Sequence, residues 1–202
     1  LFLVSLIITP FSIASKILLN QKMPELSARY LDEKTQNTAI IDLEKAKFQY
    51  LINKEYHRES ARSFNNKKLQ EKDCKENCDI IRKELASEAI NYLTSISNLL
   101  ISYQKMIIEK IKSSELLTNE EADSMILTLN EHISELEKAN EMLKTVESEN
   151  DLLTINKIIK KEINLIKSDT NEIIEQIQLS ELEHSIKKTE FLELKLEEIK
   201  SK

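Results

Sequence analysis

The sequence predicts an all-α protein, an elongated helical bundle of antiparallel helical hairpins with coiled-coil-like packing, and three observations support this. The 202 residues contain no Gly and only two Pro, Pro10 and Pro24. Tight β-hairpin turns and phosphate-binding loops depend on residues that tolerate positive φ, above all Gly, so the composition argues against a β-rich fold and against glycine-rich nucleotide sites. Apolar residues also recur at steps of three and four along most of the chain, which is the period of an amphipathic helix.

The net charge of the chain limits the kinds of partner that it can bind. The formal net charge is −6, which disfavours a general grip on nucleic-acid phosphates, because such binding depends on many Lys and Arg contacts. Basic clusters such as Lys67–Lys68 stand among acidic residues and are typical of a solvated helix face. The sequence therefore predicts no nucleic-acid partner.

The first fourteen residues, Leu1–Ala14, predict a signal peptide truncated at its start. The segment reads LFLVSLIITPFSIA, carries no charge, and places Ser12 and Ala14 at the −3 and −1 positions of a cleavage site. A retained membrane anchor reaching Leu19 is the alternative, although Lys16 interrupts it and a span needs about 20 apolar residues. We therefore expect an exported protein, extracellular or in the cell envelope, that meets the membrane only through an uncleaved N-terminal segment.

Two long helices are expected over residues 39–112, after a polar segment at 15–38 and with a bend near residues 73–78. The first, from Ala39 to about Lys72, has loosely spaced apolar positions. The second, from Cys78 to about Lys112, has a wide apolar face, which predicts packing against at least two neighbours. Its apolar positions are Leu85, Ala89, Tyr92, Ile96, Leu99, Tyr103 and Met106, with Leu93, Leu100 and Ile107 beside them.

A helical hairpin and a third helix are expected over residues 113–168. Thr118 and Glu121 have the spacing of a capping box and predict the start of a helix. A polar Asn at a heptad position of this helix can fix register, and the short repeat fits either a coiled coil or a hairpin with the preceding helix. The predicted packing seam comprises Ile126, Leu129, Ile133, Leu136, Asn140 and Leu143.

The last third of the chain predicts two further helical stretches. One begins at Asp151 and keeps its apolar residues on one side. A second signal like a capping box, from Asp169 to Glu172, predicts a bend or restart. Residues 169–202 are therefore expected as a separate C-terminal helix.

Residues 44–166 contain a succession of capping and packing motifs. These are the leading segment AKFQYLINKEYHRESARSFNNKKL, a helix ending in Lys-Ile-Lys-Ser-Ser, a Leu-Thr-Asn-Glu-Glu cap, and an Asn-Glu-His-Ile segment in the next helix. In these motifs the chain resembles a group of uncharacterised exported helical proteins of archaea and candidate-phylum bacteria. The resemblance implies a helical architecture and supplies no catalytic residues.

Cys74 and Cys78 are the chain's two cysteines and stand four positions apart. Export to an oxidising compartment favours a disulfide between them, and a bend near residue 73 suits that bond better than a regular helix does. Two free thiols are an alternative. Zinc or copper binding is a third, although a metal site needs three or four ligands and no second Cys or His pair stands at ligand spacing. We expect no cofactor.

The remaining chemical groups predict structural roles. His57, His132 and His184 lie far apart in the sequence, and His132, at the edge of the apolar seam, is expected to pack as a hydrogen-bonded group. Paired carboxylates such as Glu120 and Glu121 lie on predicted open helices, without the shielding that acid–base catalysis needs. The sequence therefore predicts no catalytic residue and a protein that is not an enzyme.

These expectations give two hypotheses about function. The first is a non-enzymatic exported helical protein with a structural or protein-interaction role at the cell envelope, whose partner is itself or another helical protein. The alternative is an exported metal-responsive module that uses Cys74 and Cys78, with His57 as a further ligand.

Overall fold

The computed structural model describes residues 33–76, 78–114 and 116–200, with side chains from Thr38 to Leu192. It contains four α-helices in these ranges: α1 is Glu33–Asp73, α2 is Cys78–Lys112, α3 is Asn119–Lys144 and α4 is Glu149–Lys200. The predicted all-α helical bundle is confirmed. The predicted signal peptide lies outside the described residues. None of the described helices is both long enough and apolar enough to cross a membrane.

Helix α2 is the central helix of the bundle. It packs against α3 and α4, and its opposite side receives the rings of α1. None of its described side chains before Tyr92 is buried, whereas most of those from Tyr92 to Ile111 are. The wide apolar face that the sequence shows is therefore covered from two sides.

Helices α1 and α2 form an antiparallel hairpin around the turn between Asp73 and Cys78. The ring centroids of Tyr50 and Tyr103 lie 5.5 Å apart. Nearer the turn, the rings of Phe64 and Tyr92 stack at 5.2 Å with an interplanar angle of 5°. Aromatic contacts of this kind stabilise a pair by about 0.5–1.5 kcal/mol beyond the buried area. Aromatic rings therefore contribute to the packing between these two helices.

Helix α3 begins at the predicted capping box. The Thr118 hydroxyl oxygen accepts from the backbone N–H of Glu121 at 3.3 Å, and the Thr118 backbone N–H donates to the Glu121 carboxylate at 2.9 Å. This hydrogen bond holds the pKa of the Glu121 carboxyl below its usual value. The predicted capping box is thus confirmed.

The buried face of α3 is broader than the predicted seam. Of the six predicted positions, Leu129, Ile133, Leu136 and Leu143 are buried, whereas Ile126 and Asn140 are half-buried. The seam is shifted because the neighbours of the two half-buried positions point inward instead. These neighbours are Met125 and Ala139, and His132 is buried as well, beside Ile133.

Helix α4 runs without interruption from Glu149 to Lys200, about 78 Å at 1.5 Å per residue. The expected restart of a helix at Asp169–Glu172 was wrong, because α4 continues through these residues. The Asp169 carboxylate does not cap a helix but meets His132 of α3, and Thr170 is buried in the interior of the bundle. The buried side of α4 comprises Ile155, Ile159, Glu162, Ile166, Thr170, Ile173 and Ile177.

Candidate functional site

A histidine held between two carboxylates forms a polar cluster between α3 and α4. His132 on α3 is 7% exposed, and its Nδ1 lies 3.1 Å from the Oε2 of Glu162 on α4. Its Nε2 lies 2.9 Å from the Oδ2 of Asp169. Glu162 and Asp169 are seven residues apart, about two helical turns, so both carboxylates lie on the same face of α4. We call these three residues the histidine clamp.

The geometry of the histidine clamp fixes what it can do chemically. An ionised carboxylate only accepts hydrogen bonds, so both contacts of His132 are hydrogen bonds at once only when both ring nitrogens carry a proton. Both ring nitrogens are then occupied, and neither lone pair is free to act as a base or to bind a metal. The arrangement suits a charged cross-link between α3 and α4. Glu162, at 6% exposure, depends on it most.

A second polar cluster joins three helices through asparagine amides. The Asn98 side-chain oxygen on α2 accepts from the Nδ2 of Asn140 on α3 at 3.0 Å. The backbone oxygen of Asn98 accepts from the Nδ2 of Asn53 on α1 at 3.3 Å. Asn140 thus forms the cross-helix polar contact that its heptad position suggested. Such a contact favours one register, because sliding either helix by a turn would break it.

The asparagines lie in an open groove on the surface of α2. One part of it, about 820 Å³, is bordered by α1 and the other, about 740 Å³, by α3. Asn98, Ile101 and Lys105 form a floor common to both parts. The walls carry ammonium, carboxylate and amide groups, which can hydrogen-bond a peptide. They contain neither a histidine nor a cysteine.

Cys74 and Cys78 are joined as a disulfide at the end of the α1–α2 hairpin, with Cα atoms 5.8 Å apart. His57, which the metal hypothesis added to them, lies 17 residues before Cys74 on α1, about 25 Å along the helix. His184 is exposed on α4. Within the described residues no group of three His, Cys, Asp or Glu side chains could hold a metal ion.

His57 lies in the interface of the α1–α2 hairpin. Its ring stacks on Tyr92, with centroids 5.4 Å apart, and its Nδ1 lies 3.1 Å from the hydroxyl oxygen of Ser95. That hydroxyl donates to the backbone oxygen of Tyr92 at 2.7 Å, so its oxygen accepts from the histidine N–H. Burial lowers the pKa of His57, because a charged ring loses hydration there.

The lowered pKa of His57 predicts that acid destabilises the hairpin. The unfolded chain binds this proton more readily than the folded chain, so the stabilisation is fully present above the unfolded pKa, about 6.5. It is lost as the pH falls through the folded pKa. Urea unfolding at about pH 7.5 and about pH 5 should therefore show a smaller pH dependence for His57→Gln than for the original chain. Replacement of the exposed His184 by Gln should leave the pH dependence of unfolding unchanged. If both variants lose the pH dependence equally, the acid destabilisation does not come from His57.

The sequence could indicate part of these sites. The capping box and the paired cysteines are local signals, visible because their members stand within four residues. Glu162 and Asp169 are 30 and 37 residues from His132, and nothing local marks them as its partners. One signal could have pointed to Glu162: an acidic residue standing among the regularly spaced isoleucines of α4.

No family model, no curated protein and no solved structure matches the chain. The resemblance to exported helical proteins of archaea and candidate-phylum bacteria therefore stays a prediction.

Proposed function

We propose that the chain is a non-enzymatic exported protein with a structural or protein-interaction role at the cell envelope, and that it binds a second helix through coiled-coil-like packing. The observation that carries this proposal is the state of α4 after Ile177. From Gln178 to Leu192 none of the described side chains is buried. We call residues 178–192 the α4 extension. Five large apolar side chains of the α4 extension are at least half exposed: Leu179, Leu182, Ile186, Phe191 and Leu192.

The spacing of three of these residues supports docking of a helix. Leu179, Leu182 and Ile186 recur at steps of three and four, so they form one stripe. At 100° per residue this stripe lies on the opposite side of α4 from the buried Ile173 and Ile177. An exposed apolar stripe on an otherwise charged helix is typical of an interaction surface.

The disulfide supports the exported part of the proposal. Structural disulfides persist in oxidising compartments and are rare in reducing ones. The sequence of Leu1–Ala14 supports the same location, since it has the composition and the small −3 and −1 residues of a signal peptide. Cleavage after Ala14 would leave Ser15 as the first residue of the mature chain, which mass spectrometry of fractionated cells can detect.

A photo-crosslinking experiment in cells tests the interaction role. A photoreactive amino acid at Leu182, inside the stripe, should give a specific crosslinked product in the envelope fraction. The matched control carries the same group at Lys188, about 120° around α4 from Leu182, and should give none. Leu179→Glu with Ile186→Glu should abolish the product. Equal crosslinking from Leu182 and Lys188, or its survival in the double variant, would overturn the proposal.

A further inference from the structure

The heptad pattern of α1 continues into α2 without a change of phase. Positions that alternate in steps of four and three run through the Asp73–Cys78 turn as though it were helical. All the residues at these heptad positions are buried or half-buried, in α1 as well as in α2. The positions are Ala39, Leu43, Ala46, Tyr50, Asn53, His57, Ser60, Phe64, Lys67, Glu71, Cys74, Cys78, Ile81, Leu85, Glu88, Tyr92, Ser95, Leu99, Ser102 and Met106.

The residues of the turn do not themselves prevent a helix. Between Asp73 and Cys78 the chain reads Cys-Lys-Glu-Asn, with neither Gly nor Pro, and Lys and Glu are among the better helix formers. A helix end leaves four backbone groups without intrahelical partners. Joining α1 to α2 would satisfy these groups at both ends of the turn, so an uninterrupted helix is favoured by the backbone.

The disulfide opposes this continuous helix. Side chains at i and i+4 of a regular helix have Cβ atoms about 5–6 Å apart, whereas a disulfide requires about 3.5–4.5 Å. The bond between Cys74 and Cys78 is therefore incompatible with a regular helix through these residues. It keeps the chain reversed at this point.

The contacts between α1 and α2 are arranged so that two chains can exchange them. Each contacting pair is about equally far from the turn on its two sides. The pairs are Tyr50 with Tyr103, Asn53 with Asn98, His57 with Ser95, Phe64 with Tyr92, Lys67 with Glu84 and Glu71 with Arg82. Two straight antiparallel α1–α2 helices, related by a two-fold axis at the turn, reproduce every pair between chains.

We propose that reduction of the Cys74–Cys78 disulfide converts the hairpin into a domain-swapped dimer with a second copy of this chain, in which α1 of each copy packs on α2 of the other. A dithiol supplies the two electrons and two protons: its thiolate attacks one sulfur, the Cys74–Cys78 bond breaks, and the dithiol leaves as its cyclic disulfide. The two cysteine thiols that form no longer constrain the turn. Exchange of identical elements is a low-cost route to a dimer, because the contacts already exist.

The fold leaves room for this exchange. The first part of α2, from Cys78 to Asn91, has no buried described side chain. Its ion pairs Lys67–Glu84 and Glu71–Arg82 join it to α1. The disulfide itself is half-buried at both cysteines, which gives a small dithiol access. In the dimer the two copies would meet at these ends, with each α2–α3–α4 part at a distance from the two-fold axis. The exchange does not involve the α4 extension and is independent of the proposed docking role.

A spin-label distance measurement on the full chain tests the proposal. The double variant Cys74→Ser with Cys78→Ser represents the reduced state. Spin labels are attached at Lys67→Cys and Glu84→Cys. In the native chain the Nζ of Lys67 lies 2.8 Å from the Oε2 of Glu84. Labelled chains are diluted with unlabelled ones, so that only distances within one chain are seen. The hairpin places the labels in near contact, whereas the continuous helix separates them by about 25 Å over 17 residues. We expect the long distance, together with a doubled mass in light scattering that rises with concentration.

Two controls separate the exchange from other kinds of association. Lys75→Pro in the same serine background should hold the chain as a monomer with the short distance, because Pro breaks a helix interior; Lys75→Ala should remain a dimer. Treatment of the original chain with dithiothreitol should double its mass without any substitution. A reduced chain that stays monomeric, or a dimer that keeps the short distance, would overturn the proposal, as would a dimer insensitive to Lys75→Pro. Leu179→Glu with Ile186→Glu should leave the exchange intact, whatever its effect on docking.

Discussion

Replacement of His132 by Leu is expected to lower the free energy of unfolding by about 1–3 kcal/mol, the usual cost of leaving a buried hydrogen-bonding group without its partner. The reason lies in Glu162, which is only 6% exposed. Without the histidine, the Glu162 carboxyl group loses the hydrogen bond that it makes with the Nδ1 of His132 in the interior. Urea unfolding followed by circular dichroism at neutral pH measures the loss.

Two companion variants test the cause of that loss. Asp169→Asn should cost about 1 kcal/mol or less, because the Asp169 side chain is 34% exposed and water screens its contact with His132. The double variant His132→Leu with Glu162→Leu should recover most of the stability, since apolar residues often replace a buried ion pair without loss. If His132→Leu alone stays within about 1 kcal/mol of the original chain, the histidine clamp does not hold α3 to α4.

Truncation of Leu136 to Ala is expected to cost about 2–5 kcal/mol, the range for large apolar residues in a packed core. Leu136 is fully buried in α3, so its truncation leaves a cavity in the packed core. Chemical unfolding measures the change, and a lower midpoint with an unchanged slope would assign it to the folded state.

The matched control is another leucine of the same helix. Leu127 is 62% exposed, so Leu127→Ala should change the free energy of unfolding by less than about 0.5 kcal/mol. Similar effects of the two substitutions would contradict the burial of Leu136 and the exposure of Leu127 in α3. The comparison also separates burial from helix propensity, because both positions exchange Leu for Ala within one helix.

Local sequence signals predicted the helices and most of their ends. The absence of Gly made a helical fold the strong expectation, and the capping box at Thr118 located the start of α3 to within one residue. The wrong prediction of a helix restart at Asp169–Glu172 also came from a local sequence signal. An Asp followed three residues later by Glu satisfies the local capping pattern, yet tertiary contact with His132 uses the Asp side chain and the helix continues.

The candidate sites were harder to predict because they depend on register between helices. The apolar spacing of α3 fits two adjacent seams that share Leu129, Leu136 and Leu143. The positions of α2 and α4 around α3 decide which of the intervening residues face inward. In the structure Met125 and Ala139 are buried. A pattern along one helix cannot contain that information. For the same reason the sequence indicated neither the partners of His132 in the histidine clamp nor Asn98 and Asn53 as the neighbours of Asn140, although it marked Asn140 as a polar heptad position.

The order of the helices along the chain has a consequence for how the protein reaches its native state. Each described helix packs on the next one in sequence, and α2 also packs on α4. Mean sequence separation between contacting residues is therefore small, and proteins of this kind fold in roughly microseconds to milliseconds. Such a chain can acquire its structure progressively, one helix after another, as it emerges from a ribosome or an export channel.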